Sequence, residues 1–456
     1  MKKLSLKDVA RFCGSDTTLD GYITRISTDS REVDENTLFV ALVGERFDAH
    51  DFVDDVLKKG AKAVVCSKNL GDDERIIYVE NTGKALLDIA HGYRKTFDIP
   101  FIGLTGSVGK TTSKGMIYSV VKKGFDTHRT AGNLNNEIGV PKTLFCLEEH
   151  HEAAVIEMGM NHFEEISRLS LTVEPTIAVI TNVGTAHIEN LGSREGILKA
   201  KLEILDGMKK GSTLIINGDN DMLATVKNED YEIIRFGIDS DNLYMRAENI
   251  KSDETGSCFT AVCGDEKAEV FVPAVGIHNV YNALCAMCVG KKLGFSLEKA
   301  AQGVADFESE GMRQKITKIN GITFVEDCYN ANPDSMKASL EALKTLKVKR
   351  SFAVLGDMLE LGDFSDKAHR DVGAIAVGTG CDFVLTYGKC AELISEEAKS
   401  KGIFAESFDD KEKIAEFLFE NLSSDDVVLF KGSRGMKMED IFNSLYKKMG
   451  YKGDNT

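Results

Sequence analysis

The sequence predicts an α/β protein built as three domains, and three observations point to it. Apolar runs of strand length alternate with stretches of helical periodicity along the whole chain. One such run, Phe101–Leu104, leads straight into a glycine loop and then a helix, the layout of a parallel sheet wound with helices. The length, 456 residues, leaves room for about three domains at ~150 residues each.

Residues 1–98 form the first unit, where short strand-like runs such as Thr37–Leu42 and Ala63–Cys66 alternate with helical stretches. The second opens near Ile99 and Pro100 and is expected to run over 99–312. Its strand Phe101–Leu104 precedes a helix that carries Met116, Ile117, Val120 and Val121 on one face and stops at Gly124. Buried-strand candidates follow at Ala153–Ile156, Ile177–Ile180 and Leu214–Ile216. The third unit, 313–456, has strands at Ile322–Val325, Phe352–Leu355, Phe383–Leu385 and Val427–Phe430. A helix from Ser335 buries Met336, Leu340, Leu343 and Leu346. Strands that alternate with helices pair mostly in parallel. Five prolines and 41 glycines leave no Pro-rich linker, so the boundaries rest on these changes of pattern.

Composition excludes several classes. Hydrophobic residues make up 43% and charged residues 28%, the mixture of a soluble globular chain rather than a disordered one. No window approaches the ~18 uninterrupted apolar residues of a membrane helix, and the start MKKLSLKDVARF has no signal-peptide core. A cytoplasmic protein without a membrane span is expected. The net charge of −16 argues against a general polyanion binder and hence against a nucleic-acid partner. Any phosphate must be handled in a local pocket. Of ten cysteines, only Cys285 and Cys288 have CxxC spacing, and they read as buried thiols on a helix rather than a metal site.

The glycine loop, Gly106, Ser107, Val108, Gly109, Lys110, Thr111 and Thr112 (GSVGKTT), is a shortened phosphate loop, since the strict pattern would place glycine where Leu104 stands. Backbone N–H groups and the helix N-terminus favour phosphate oxygens, Lys110 can reach the outer phosphates, and Thr111 or Thr112 can hold Mg²⁺. Two later strands end in groups suited to a metal. Ala153–Ile156 runs into Glu157, a hard oxygen donor, and Ile177–Ile180 leads to His187. Ligands of open parallel sheets sit beyond these strand ends.

The segment 197–208 reads as one helix, with Leu198, Ala200, Ile204, Leu205 and Met208 on its apolar arc and Lys199 and Glu203 on the solvated face. Lys201 falls in the middle of the apolar arc. It is either a lysine that snorkels past the core rim or a buried neutral amine. A neutral amine can add CO₂ and become an anionic carbamate able to bind Mg²⁺.

These motifs resemble those of the Mur ligase family across essentially the whole chain and in order. They are TGSVGKTT (105–112), GNLNNEIG (132–139), EMG (157–159) and TNVGTAHIENLGS (181–193). His278, Asn279 and Asn282, then Met312 with Arg313, and DCYNANPDS (327–335) complete the set. DCYNANPDS, with GDMLELG (356–362) and KGSRGM (431–436), is similar to the members that add a D-alanyl-D-alanine dipeptide. The DNPR signature of the members that add a diamino acid is absent.

The resemblance implies a domain for UDP-N-acetylmuramoyl-peptide over 1–98, a central P-loop ATPase over 99–312 and a Rossmann-like domain over 313–456. It implies that ATP phosphorylates the tripeptide carboxylate and that the amine of D-alanyl-D-alanine then displaces phosphate. Lys110, Glu157, His187 and Lys201 would form the catalytic set, with two Mg²⁺ ions. Thr111 or Thr112 and Glu157 would hold one, and His187 and carbamylated Lys201 the other. Asn282 would contact adenine, and Arg313 and Asp327 the phosphate side and the ribose. Asn330, Asn332, Lys431 and Arg434 would belong to the dipeptide side. Ser30, Arg31 and His50, in STDSR (27–31) and FDAHDF (47–52), would grip the UDP-sugar. The partners implied are small molecules, UDP-N-acetylmuramoyl-tripeptide and D-alanyl-D-alanine, met by a monomer.

Two rival readings stay open at this point. A sister amide ligase resembling folylpolyglutamate synthetase would share the central chemistry but lack the UDP-sugar loops near Ser30 and His50. A nucleotide-dependent switch would bind ATP without ligation and has no use for a second metal centre.

Overall fold

Among the described residues four sheets carry the chain, and every run read as a strand from the sequence lies in one of them. The computed structural model describes residues 1–451 apart from 45, 46, 254, 310, 312 and 347. Met312 of the expected Met312–Arg313 motif therefore lies outside the described residues. Among the described residues no helix is long and apolar enough to cross a membrane.

The first sheet pairs Leu4–Ser5 with Tyr22–Ile23, and the second is a four-stranded parallel sheet of Arg25–Ser27, Thr37–Val40, Ala63–Cys66 and Ile76–Tyr78. The helix Thr82–Arg94 closes this region and packs on the next one. Arg94 donates to the carbonyls of Val173 and Glu174, and the Tyr93 hydroxyl donates to the carbonyl of Leu147. One continuous apolar core runs from Leu6, Val40 and Ile89 into Ile156, Ile180 and Leu214.

The third sheet has nine strands, and its parallel part sets the site. Ala153–Glu157, Phe101–Thr105, Ile177–Ile180 and Thr213–Asn217 lie side by side with their carboxyl ends at one edge. Valines, isoleucines and alanines fill these strands because helices cover both faces. The sheet departs from the expectation of parallel pairing beyond Glu232–Gly237. There Met245–Asp253, Gly256–Cys263 and Glu266–Val272 form an antiparallel meander. In its last strand Ala268, Val270 and Val272 are buried while Lys267, Glu269 and Phe271 point outward, the period-two pattern of a half-buried sheet.

The fourth sheet is ordered Lys315–Ile319, Ile322–Asp327, Val427–Lys431, Ser351–Gly356, Phe383–Tyr387, Phe404–Phe408, parallel except at its first pair. The helix expected over 197–208 is shorter than the sequence suggests. It spans Arg194–Leu202 and ends in a tight turn at Glu203–Leu205. The Ser170 hydroxyl donates to the carbonyl of Ile204 and accepts the N–H of Gly207, which takes both groups out of the helical ladder.

Candidate active site

The glycine loop is held from behind. Asn182 accepts the N–H groups of Ser107 and Val108 at 3.1 and 2.9 Å, and the Thr181 hydroxyl donates to the carbonyl of Val108 at 2.8 Å. Gly106 has no room for a side chain, because a Cβ there would lie 1.9 Å from the Thr181 hydroxyl. Gly109 takes φ 81° and starts the helix Lys110–Val121. The N–H groups of that first turn have no partner within the helix, an arrangement that suits an anion.

Lys110 bends back to donate to the carbonyl of Gly106 at 2.8 Å. Burial pushes its amine below the ordinary lysine value, with Glu157 opposing that shift and Arg313 adding to it. Glu157, at the end of Ala153–Glu157, is buried and fully bonded. Its Oε2 accepts the Thr111 hydroxyl at 3.0 Å and lies 3.3 Å from the Lys114 amine, and its Oε1 accepts from Asn135 at 2.9 Å. Thr111, not Thr112, is thus the hydroxyl on the carboxylate.

His187 sits at φ 63° where the chain leaves Ile177–Ile180. Its Nδ1 is buried without a hydrogen-bond partner among the described residues, although a Glu360 oxygen stands 3.4 Å away outside bonding geometry. Burial first, then Lys110 and Lys201, hold its pKa down to about 4, so the ring is neutral and keeps a lone pair. Lys201 is 1% exposed and forms no ion pair among the described residues. Burial, reinforced by Lys110, pushes its amine well below the ordinary value. Lys199 is exposed and rests over the ring of Phe163.

Facing this wall across a cavity of about 380 Å³ stand residues of the six-stranded sheet. Asp327 accepts from Lys431 at 2.6 Å and from Ser339 at 2.7 Å, and the Arg313 guanidinium lies 3.9 Å from the Tyr329 ring centroid. Asn330 bonds the backbone N–H of Ala331, and Asn332 caps the helix Pro333–Thr345. Asn282 reaches under the glycine loop, where a Cβ on Gly109 would come within 2.9 Å of its oxygen, which accepts from Ser113. Arg313, Asp327, Tyr329, Asn330, Asn332, Ser339, Lys431 and Asn282 all line the same cleft as Ser107–Thr112, Glu157 and His187. Across the cleft, Asp334 accepts the backbone N–H and the hydroxyl of Thr185.

Gly106 and Lys201 are not part of this cleft lining, and four other expected site residues lie elsewhere. Arg434 is paired with Glu439 outside the cleft lining. In the first region, Arg31 is exposed and folds onto Asp29, and Ser30 gives its carbonyl to Lys59. His50 is buried, with Nδ1 on Asp48 at 2.6 Å and Nε2 accepting the N–H of Ser67 at 2.9 Å. Both ring nitrogens are therefore spent on holding the 47–52 loop in place.

Sequence reasoning missed two residues, Asn182 and Lys114. Lys114 lies three residues before Ile117 and seven before Val121, on the edge of the same apolar stripe, which is the signal that singled out Lys201.

Comparison with known proteins places this architecture. Residues 104–290 match the family profile described as Mur ligase middle domain, 312–434 that of the Mur ligase glutamate ligase domain, and 22–94 that of the Mur ligase catalytic domain. The UDP-N-acetylmuramoyl-tripeptide–D-alanyl-D-alanine ligase of Bacillus subtilis (strain 168) is 38% identical over 427 residues, 92% of each chain. The chain belongs to the Mur ligase family. The Escherichia coli (strain K12) ligase with the same name is 36% identical over 95% of each chain. Among solved Mur ligases, MurF from Acinetobacter baumannii superposes with a TM-score of 0.92 at 31% identity, covering 98% of this chain and 99% of that one. MurF from Thermotoga maritima in complex with ADP gives 0.86 at 29%, covering 94% and 98%. A folylpolyglutamate synthase from Mycobacterium tuberculosis gives 0.62 at 14% identity, covering 81% and 94%, a likeness of fold alone.

Proposed function

We propose that this Mur ligase joins D-alanyl-D-alanine to UDP-N-acetylmuramoyl-tripeptide at the expense of ATP. The reading is carried by full-length relatives of that name whose likeness extends over the cleft in which the phosphate loop faces Arg313, Asp327 and Lys431. The γ-phosphoryl group passes to the tripeptide carboxylate and leaves ADP and an acyl phosphate. The dipeptide amine adds to the acyl carbon, gives up a proton, and the tetrahedral adduct expels phosphate to leave an amide.

Each residue follows from its place. Lys110 and the first-turn N–H groups of Lys110–Val121 hold the outer phosphates and take up charge that develops in transfer. Arg313 brings a second cation from the opposite wall, with Asp327 and Lys431 fixed to each other beside it. Asn282 is assigned to the adenine side. Asn330 and Asn332 lie on the dipeptide side, and Ser30, Arg31 and His50 belong to the loops for the UDP-sugar, His50 as their internal brace. Arg434 reaches the dipeptide only if it leaves Glu439.

The chemistry of the donors fits Mg²⁺. Thr111 and Glu157 supply hard oxygens beside the phosphate loop, and His187 offers a buried nitrogen with no hydrogen-bond partner among the described residues. A carbamate on Lys201 would supply the anionic oxygens for a second ion. Bound there, magnesium would neutralise charge on the phosphoryl and carboxylate oxygens. We assign the three expected units 1–98, 99–312 and 313–456 to UDP-sugar peptide, ATP and dipeptide, and the protein to the cytoplasm as a monomer acting on small molecules, not nucleic acid.

Mass spectrometry of the product from the two defined substrates and ATP tests the reading. A pentapeptide product, with phosphate released only when both substrates are present, is expected. Phosphate release independent of the substrates, or a product carrying glutamate, would overturn it.

A further inference from the structure

Lys114 has no part in the reaction above, yet it is one of the largest side chains with no exposure in the molecule. It stands one helical turn after Lys110, on the same face of Lys110–Val121. Its amine lies 3.3 Å from Oε2 of Glu157, the oxygen that also accepts the Thr111 hydroxyl, and it donates to the carbonyl of Gly132 at 2.9 Å. Asn135, three residues beyond that carbonyl, holds the other carboxylate oxygen. The backbone N–H of Glu157 is fixed as well, on the Thr130 hydroxyl at 3.0 Å. Both oxygens of this carboxylate are thus held by side chains, Lys114 among them.

A buried carboxylate needs a compensating charge whether or not a metal is bound. Here the compensation is built in. It also has a consequence for the metal, because a free divalent cation approaching Glu157 meets the Lys114 ammonium beside the oxygen it needs and Lys110 within the same cleft. Only a cation already carrying phosphate oxygens arrives with enough negative charge to be accepted there. We propose that Lys114 is a positioning residue, the internal counter-ion of Glu157, which holds the carboxylate ready in the empty enzyme and makes metal binding at Glu157 contingent on the nucleotide that brings it. The inference rests on the assignment of Glu157 as a metal ligand.

Mn²⁺ is a suitable probe, since its paramagnetic resonance separates free from bound ion in the full-length protein. Wild type and Glu157→Gln should bind Mn²⁺ alike without nucleotide, because neither holds it at residue 157. With a non-hydrolysable ATP analogue, wild type should bind it at least about tenfold more tightly than Glu157→Gln. Lys114→Met keeps the length of the stem and removes the charge. It should gain nucleotide-free Mn²⁺ binding that disappears in the Lys114→Met, Glu157→Gln double variant, whereas Lys114→Arg should exclude the free ion as wild type does. A lost stem alone would not move this difference. Wild-type protein that binds Mn²⁺ through Glu157 as well without nucleotide as with it overturns the proposal, and so does a folded Lys114→Met protein that gains none. If Lys114→Met does not fold, the wild-type comparison decides. If Glu157→Gln binds the metal–nucleotide pair like wild type, the assignment of Glu157 fails instead.

Discussion

Replacing Lys201 by alanine separates what this residue does for the fold from what it does for the reaction. The side chain is 1% exposed, so truncation removes about three buried methylenes at ~0.8 kcal/mol each, a gross loss of about 2 kcal/mol. Part of that loss is offset, because a poorly solvated amine with no ion pair among the described residues is removed as well. The net change is expected at about 1 kcal/mol, a shift of a few degrees in Tm. If the amine carries the carbamate proposed here, activity should fall far more, by about a hundredfold to ten-thousandfold, or ~3–5 kcal/mol in the barrier. Phosphate release with both substrates and a thermal melt on the same sample read the two effects side by side. Acetate or formate should restore part of the rate by occupying the vacated anion position. Lys199→Ala, on the exposed side of the same helix, should behave almost like wild type. A fully active Lys201→Ala enzyme, or damage confined to Lys199→Ala, would refute the carbamate.

Further expectations follow from other parts of the molecule. Lys110→Ala should lose ligation by about three orders of magnitude or more while melting like wild type, and near-normal turnover would remove the loop from the reaction. His128 is half-buried and donates through Nε2 to the carbonyl of Thr143, and its desolvation holds its pKa down to about 4. The folded form is therefore neutral where the unfolded chain, near 6.5, takes up a proton. That difference contributes about 3 kcal/mol of stability, present above pH ~6.5 and lost as the pH falls toward 4. Melting temperatures measured from pH 7 to 4.5 should fall less steeply in His128→Gln, and parallel curves would contradict the assignment. Asp334→Ala removes both bonds to Thr185 and should enlarge the ligand-free radius of gyration in small-angle scattering, whereas an unchanged curve would mean that these bonds do not hold the cleft.

The parts legible in the sequence are those governed by local pattern. Ile177–Ile180 and Ala153–Glu157 are unbroken apolar runs because both faces of the sheet are covered, and the acidic residue at the second run's end stands out for that reason. Lys201 was visible as a charge on an apolar arc. The antiparallel meander was not, because the pairing of its first two strands is interrupted by a register shift between Glu248 and Lys251. Nor could pattern reveal that Asp327 and Lys431 are partners, since 104 residues separate them and only strand pairing brings them together. His50 shows a part that the motif alone did not reveal. Its motif suggested a hand extended to a ligand, but two neighbours in the fold had already claimed both nitrogens.

The core that runs without a break from Leu6 to Leu214 bears on how the molecule comes apart. Chain length and pattern divide the protein into three, but heat should divide it into two. The first region has an apolar core of its own on the face of its sheet that carries Phe39 and Val64, but the opposite face, with Val40 and Val65, is completed by side chains of the nine-stranded sheet's helices. Arg94 and Tyr93 tie the two regions together with charge-assisted and hydroxyl bonds to backbone. The six-stranded sheet keeps separate cores on its two faces. Scanning calorimetry should accordingly resolve two cooperative transitions, and a fragment ending near residue 98 should not hold its structure by itself.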